Sequence, residues 1–455
     1  MGRRSIEVKR IEGGRKPFDV FKVLSDYYDR VYLLESVSGP RKLAEFSFIG
    51  WGPVATLVVS EGDVMIYDRI EGESLRMEAG NPMRLLGELV LNSKRRENRL
   101  RFLGGAVGYI SFEAVKYWED IRFREKERHD FPDMEFDVYD RGLVFDHRMN
   151  EAYIYGPEPD REWGEIVKLL RDADDDEKPL RATSVKSNIS KPDFEEMVLK
   201  AKEYIAAGDV LQVVPSRRID LEISGSYLGY YRRLRQVNPS PYMYVFKLDG
   251  RWIVGTSPEM LVRVEGSRVE TFPIAGTRPM TGRAEEDDRL MEELRKDEKE
   301  LAEHVMLVDL ARNDLGRVCR YGTVRVASLM EIHRYSHVQH LVSHVIGELK
   351  LDLSVIDVIE ATFPAGTVTG APKLRAMEII DELEPVERGP YAGCVGYLSF
   401  NGSADFAITI RTLLGHSASR ASVQVGMGVV ADSNPEVEWF ETEHKAAALL
   451  SAMER

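Results

Sequence analysis

The sequence lacks what several classes of protein require. Only two cysteines, Cys319 and Cys394, occur in 455 residues. They lie too far apart for a paired-cysteine metal site and are too few for a disulfide framework, so a reducing compartment, the cytoplasm, is expected. No stretch approaches the roughly 18 unbroken apolar residues of a membrane span. The N-terminal MGRRSIEVKR is basic but runs into the polar IEGGRKPFDV, without the apolar core of a secretory signal. Positive charge is also in deficit: 62 basic against 76 acidic side chains leave a net charge of -14, a field that repels phosphate backbones and anionic bilayers. Neither nucleic acid nor membrane is an expected partner.

What is present is an ordinary enzyme-sized balance, 43% hydrophobic and 30% charged, which supplies apolar surface for a large core built from more than one folding unit. Short strand-like runs, VYLLES (31–36), TLVVS (56–60) and EAYIYG (151–156), are separated by Gly, Pro and charged turns. The composition then breaks: 161–190, which includes DADDDEKPLRATSVKSNIS, is charged and without apolar periodicity, and reads as an exposed linker between an N-terminal domain (1–160) and a second domain (191–455). One segment occurs twice. GGAVGYISF at 104–112 returns 288 residues later as AGCVGYLSF at 392–400, too long a period for a solenoid, which points to a duplicated α/β (α+β) structure of two related halves.

Two helices are expected to carry acidic pairs. One spans about 285–313, with Leu294, Leu301, Val305 and Val308 as its buried stripe and Glu300 and Glu303 on another face. The other starts at Asn434 as N-cap with Pro435 in the first turn, and sets Glu438, Glu441 and Lys445 along one side. A Glu-x-x-Glu pair on one helix is usually a solvated face. Carboxylates converging from two helices need a hard cation between them, and an all-oxygen donor set favours Mg²⁺.

Longer motifs add to this. PIAGTRP (273–279), EHVMLVDLARNDLGRV (303–318), FPAGTVTGAPKLRAM (363–377) and AITIRTLL (407–414), with SPE (257–259) and the terminal helix, resemble the chorismate-utilising enzymes. LLES (33–36) and SFIG (47–50) resemble the N-terminal part of the anthranilate synthase component I branch of that family. The resemblance implies one α/β unit of two intertwined, sheet-containing halves with helices outside.

Carried over to these positions, the resemblance assigns Glu303 and Glu441 as Mg²⁺ ligands, with Glu300 and Glu438 in or just behind the shell. Arg411, Tyr391 and Lys445 would hold the enolpyruvyl side of chorismate, and an Arg fork suits a carboxylate as a Lys cannot. Thr367, the backbone at Gly366, Gly426 and Gly428, and Ala275, Gly276 and Thr277 would line the substrate pocket. Glu259 matches the general acid for loss of the ring hydroxyl and must stay protonated, which burial favours. His340 matches the proton-transfer residue of pyruvate release. GTVTGAPK is not a phosphate loop, because Leu374 follows Lys373 where Ser or Thr is needed.

Two positions choose among family members. Relatives that add water carry a catalytic lysine where this chain has Gln212, and aminodeoxychorismate synthases carry a nucleophilic lysine where it has Ala275. Ammonia added at ring carbon 2 with loss of pyruvate remains, the anthranilate outcome. A Gly-x-Cys-x-Gly glutaminase motif is missing, so the resemblance implies a separate glutamine amidotransferase subunit in a hetero-oligomer. It also implies feedback inhibition by tryptophan, held by Glu35 and Ser36 and by the apolar Pro241, Tyr242 and Met243. Glu45 stands where relatives often have Arg. The same-class alternative is aminodeoxychorismate synthase component I; the different-class alternative is a non-catalytic tryptophan sensor.

Overall fold

In the computed structural model, residues 6–11, 16–36, 45–78, 80–91, 99–171, 177–334 and 338–454 are described. Their strands form two large antiparallel sheets, both assembled from both ends of the chain. The first runs Glu7–Ile11, Glu151–Gly156, Gly142–Asp146, Phe46–Trp51, Arg30–Glu35, Tyr242–Leu248, Arg251–Ser257, Thr412–Gly415, Arg420–Gly426, Ser216–Ser224, Arg181–Ser187. The N-terminal strands join the C-terminal ones where Leu33 pairs with Val245. In the second sheet the join lies between Gly105–Ile110 and Cys394–Ser399.

Those two joining strands are the repeated segment, and Gly108, the counterpart of Gly396 in the repeat, pairs with Gly396. The duplication therefore meets itself about a local two-fold axis. Both glycines are required by close approach: a Cβ at Gly108 would lie 2.8 Å from Phe136 Cα, and one at Gly396 would lie 2.8 Å from Phe406 Cα.

The inner faces of the sheets enclose an aromatic core in which Tyr32, Phe48, Tyr244 and Phe246 meet Phe102, Tyr109, Tyr139 and Tyr397. Phe48 and Tyr397 make an edge contact at 5.5 Å between centroids, one of the arrangements that the ring quadrupoles favour. Helices cover both outer faces. Pro17–Tyr27, Tyr227–Val237 and Pro435–Leu450 pack on the first sheet; Pro82–Leu91, Glu298–Val318, Val355–Thr362 and Lys373–Leu383 pack on the second.

The segment expected as a linker is largely built. Pro159–Arg171 is a helix that buries Ile166, and Arg181–Ser187 pairs with Ser216–Ser224 as an edge strand; residues 172–176 lie outside the described ones. A polar edge strand has few apolar residues to betray it. The long acidic helix is two, Ala284–Lys296 and Glu298–Val318, because Asp297 caps the second by accepting from Glu300 N at 3.2 Å. Its buried face is His304, Leu307, Val308 and Leu315, whereas Val305 is 46% exposed. Asn434 caps Pro435–Leu450 as expected, accepting from Glu436 N and Val437 N.

Candidate active site

Two of the site residues lie where the chain crosses from one sheet to the other. Glu259 separates Arg251–Ser257 in the first sheet from Met260–Glu265 in the second, and Arg411 separates Ala404–Ile408 in the second from Thr412–Gly415 in the first. The crossovers are pinned to their neighbours: Ile408 N donates to Glu259 O at 3.1 Å and Thr256 N to Arg411 O at 3.2 Å. Arg411 holds a left-handed backbone, φ 51°, a conformation that a non-glycine residue adopts at a cost and that clusters at functional positions.

Glu259 is 8% exposed. Burial pushes its carboxyl up to about 8, against the opposing influences of the Thr367 hydroxyl and the Arg411 charge. It is a carboxylic acid at neutral pH. The Arg411 guanidinium forms no ion pair or hydrogen bond among the described residues; desolvation lowers its pKa and the charge of Glu259 raises it. A desolvated Arg fork without a carboxylate of its own is a receptor for one from elsewhere.

His340 is 4% exposed and lies on Val338–Glu348, opposite Thr277. Its Nδ1 is 3.0 Å from both Gly276 O and Thr277 Oγ1. Donation to the Gly276 carbonyl makes Nδ1 the protonated nitrogen of the neutral ring. Desolvation first, and the Arg411 charge with it, lower the pKa to about 4, although the Gly276 bond opposes them, so the ring is neutral at pH 7. The strand Ile274–Pro279 bulges between Ala275 and Thr277 with Gly276 at φ 63°, where a Cβ would press on Leu294 at 2.8 Å and on Glu300 Oε2 at 3.3 Å.

The acidic pairs converge. Glu303 accepts from Gln212 Nε2 at 3.0 Å. Its pKa is raised by desolvation first, then by the charges of Glu300 and Glu441, with Gln212 and Lys299 opposing. The pKa of Glu438 is likewise raised by desolvation and then by Glu441, while a hydrogen bond with Ser433 and the charges of Lys299 and Lys445 oppose. Carboxylates from two helices thus repel one another in one place. Cations already temper them: Lys445 pairs with Glu441 at 2.7 Å and Arg278 with Glu300 at 3.1 Å. The four acids offer only oxygen donors, the chemistry that a hard divalent ion takes. Among the described residues they are not drawn into a closed group of three, so ligation requires the side chains to turn toward one another.

The remaining pocket residues adjoin this centre. Lys445 Nζ donates to Gly426 O at 2.9 Å, and a Cβ on Gly426 would approach Tyr391 Oη at 2.8 Å. The Gln212 side chain lies against Gly428, is 2% exposed, and keeps its Oε1 without a hydrogen bond among the described residues. Thr367 lies in the Gly366–Thr369 turn and faces the Glu259 cavity, as Gly366 does. Ala275 pairs with Leu341 beside the bulge. Sequence reasoning missed Arg278, Lys299 and Ser433 as partners of the acids; Arg278 stood inside the quoted PIAGTRP, the one signal that could have found it.

A second cavity, between the sheets, is lined by Glu35, Ser36, Pro241, Tyr242 and Met243 together with Arg263, so the expected tryptophan residues do come together. Ser36 Oγ donates to Pro241 O at 2.9 Å. The Glu35 carboxylate, however, is held by Tyr231 Oη and Arg235 Nη2, each at 2.8 Å. Strand alternation explains this: Glu35 shares the face of Leu33, which packs under the helices, whereas Leu34 faces the aromatic core. Glu45 pairs with Arg101 at 2.6 Å at the rim.

Residues 29–451 match the family of chorismate binding enzymes. The chain is 46% identical to anthranilate synthase component 1 of Methanothermobacter marburgensis over 97% of this chain and 93% of the relative. It is 42% identical to that of Saccharolobus solfataricus over 98% and 99%. Among solved structures it is similar to anthranilate synthase component I from Streptococcus pneumoniae, with a TM-score of 0.80 and 36% identity over 91% of this chain and 93% of that one. The menaquinone-specific isochorismate synthase from Escherichia coli shares the fold at 19% identity, with a TM-score of 0.75 over 99% and 95%.

Proposed function

Since the chain belongs to the family of chorismate binding enzymes, we propose that it is the aminating subunit of an anthranilate synthase, converting chorismate and ammonia to anthranilate and pyruvate in tryptophan synthesis. The observation that carries this reading is the company Arg411 keeps: a half-buried guanidinium that forms no ion pair among the described residues, beside a protonated Glu259 and a neutral His340. Chorismate brings two carboxylates. Arg411, with Tyr391 and Lys445, receives the one on the enolpyruvyl side, and Thr367, Gly426 and Gly428 shape the wall against the ring.

Mg²⁺, held by Glu303 and Glu441 with Glu300 and Glu438 behind them, would neutralise and orient the ring carboxylate when bound. The protein's own groups do the rest. Glu259 carries the proton that leaves with the carbon 4 hydroxyl, and its raised pKa keeps that proton in place at neutral pH. His340, its ring oriented by Gly276 O and Thr277 Oγ1, would serve proton transfer as pyruvate is eliminated and the ring becomes aromatic. The Gln212 amide sits where a water-activating lysine stands in relatives, and Ala275 offers no nucleophile, so ammonia attacks carbon 2 directly.

The proposal includes a glutamine amidotransferase partner that supplies ammonia, a cytoplasmic location, and feedback control by tryptophan in the cavity lined by Ser36, Pro241, Tyr242 and Met243. The carboxylate of Glu35, already bonded to Tyr231 and Arg235, supports that site by ordering its strand. Product analysis tests the reading. The purified chain with ammonium should release one pyruvate per chorismate consumed; a product that keeps its enolpyruvyl group would assign the aminodeoxychorismate reaction instead. Turnover with glutamine alone would remove the need for a partner.

A further inference from the structure

Behind the pocket lies a buried ion pair that reaches the Tyr391 ring and holds the segments that carry other residues assigned to the site. Arg388 is 1% exposed and Glu384 4%. The guanidinium gives Nε and Nη2 to Glu384 at 3.0 and 2.6 Å, Nη1 to Val368 O at 2.8 Å and Nη2 to Val214 O at 2.6 Å. Its Cζ lies 4.6 Å from the centroid of the Phe112 ring and 5.7 Å from that of Tyr391. Glu384 also accepts from Ser216 N and Oγ at 2.7 and 2.8 Å, and Gln424 Nε2 donates to Ser216 Oγ at 2.8 Å. Glu113 ties down the start of the Tyr391 loop, accepting from Arg388 N at 2.7 Å and Gly389 N at 3.1 Å.

Each of these bonds ends next to a pocket residue. Val368 follows Thr367, and Val214 lies two residues beyond Gln212. Ser216 is the register partner of Gly426, and Arg388 itself precedes Tyr391 by three residues. Stability alone does not explain such an arrangement, because a buried ion pair costs desolvation that an apolar pair of like volume avoids. What it supplies is fixed geometry: a planar fork that bonds two carbonyls and a carboxylate admits one arrangement of the three chain segments it joins.

We propose that Arg388, locked by Glu384, is the positioning residue of the active site, setting the distance between the Thr367 turn, the Gln212 strand and the Tyr391 loop around the bound ring. The inference rests on the site reading above and adds to it a residue that does not contact substrate. It has a consequence beyond fit. The Thr367 hydroxyl is buried in the cavity that Glu259 lines, makes no hydrogen bond among the described residues that would hold it elsewhere, and opposes the rise in the pKa of Glu259; Arg388 fixes the turn that presents it. The charged group facing Glu259 is Arg411, while Asp314, the other carboxylate of that cavity, is paired with Lys373 at 2.9 Å.

The test uses the full chain, chorismate, Mg²⁺ and ammonium, with Arg388→Lys and Glu384→Gln, which keep much of the volume and so retain the fold more readily than truncations. Both variants should lose at least tenfold in kcat/KM per folded molecule, measured at a temperature where each is fully folded, since breaking a buried pair also lowers the melting temperature. The alkaline limb of kcat, where Glu259 ionises, should move to higher pH in each, by as much as in Thr367→Val. Combining Thr367→Val with Arg388→Lys should move it no further. If one variant fails to fold, the other carries the same signature. Retained KM, kcat per folded molecule and alkaline limb would make the pair merely structural and overturn the proposal. If the parent chain itself fails to aminate chorismate, or if Glu259→Gln leaves the limb in place, the site reading has failed first and the positioning role falls with it.

Discussion

The Gln212 side-chain amide donates to Glu303 at 3.0 Å, which ties the residue proposed to set this chain apart from water-adding relatives to one of the four acids of the proposed cation site. Gln212 and Lys299 are the groups that oppose the upward shift of Glu303. Gln212→Leu should therefore raise that pKa further and make the carboxylate scarcer at a given pH. The expected outcome is a higher Mg²⁺ concentration for half-maximal ammonia-dependent activity, with the largest difference at acid pH. A magnesium titration at pH 6.5 and 8 checks it; curves identical to the parent at both pH values would disconnect Gln212 from the cation.

Glu259 gives a prediction with two signs. If Glu259 is the general acid proposed, activity needs its proton, so kcat should fall as pH rises through about 8, and Glu259→Gln should cost roughly 10²- to 10⁴-fold, the usual worth of a general acid. Stability runs the other way for the variant. A carboxyl raised from 4.5 to about 8 on folding contributes stability below the unfolded pKa that is lost as pH climbs to the folded one, on the order of 1 kcal/mol per pH unit. Denaturant unfolding from pH 5 to 8 should thus show Glu259→Gln gaining on the parent, and a constant difference would mean that the carboxyl is ionised in the folded protein.

Gly276 is predicted to be irreplaceable. Alanine at φ 63° costs about 1–2 kcal/mol from backbone strain, and its Cβ would meet Leu294 at 2.8 Å. Because Gly276 O accepts from His340, Gly276→Ala should lower kcat as well as the melting temperature. An unchanged kcat in the folded fraction would separate the bulge from the imidazole.

The cavity proposed for tryptophan separates recognition from support. Ser36→Ala combined with Met243→Ala should abolish tryptophan binding in calorimetry while leaving uninhibited activity intact. Glu35→Ala should instead cost about 1–3 kcal/mol of stability, because Tyr231 and Arg235 lose their acceptor. Unaltered tryptophan affinity in the Ser36/Met243 double variant would place the inhibitor elsewhere.

How far the sequence could be read depended on the range of the signal. The Asn434 cap, the short N-terminal strands and the repeated Gly-Tyr segment are local patterns, and the repeat even foretold two halves, although not that Gly108 would pair with Gly396. Local features outside the quoted motifs were harder: the Asp297 cap split a periodic helix, and a polar edge strand at Arg181–Ser187 read as linker. The orientation of Glu35 needed to know which sheet face meets the helices. Arg388 was invisible because its carbonyl partners at Val214 and Val368 lie 174 and 20 residues away. The motif residues Glu259, His340 and Arg411 were legible as a set through resemblance, whereas the burial that gives Glu259 and His340 their protonation states exists only in the folded chain.

The most direct test of the account is the fluorescence of anthranilate formed by the purified chain from chorismate, Mg²⁺ and ammonium, measured in parallel with Glu441→Ala. Fluorescence should rise with time in the parent, depend on both magnesium and ammonium, and vanish in the variant. A parent that yields no fluorescent product, or a variant that forms it at the parental rate, would contradict the claim that acids from two helices and Arg411 together seat chorismate for amination.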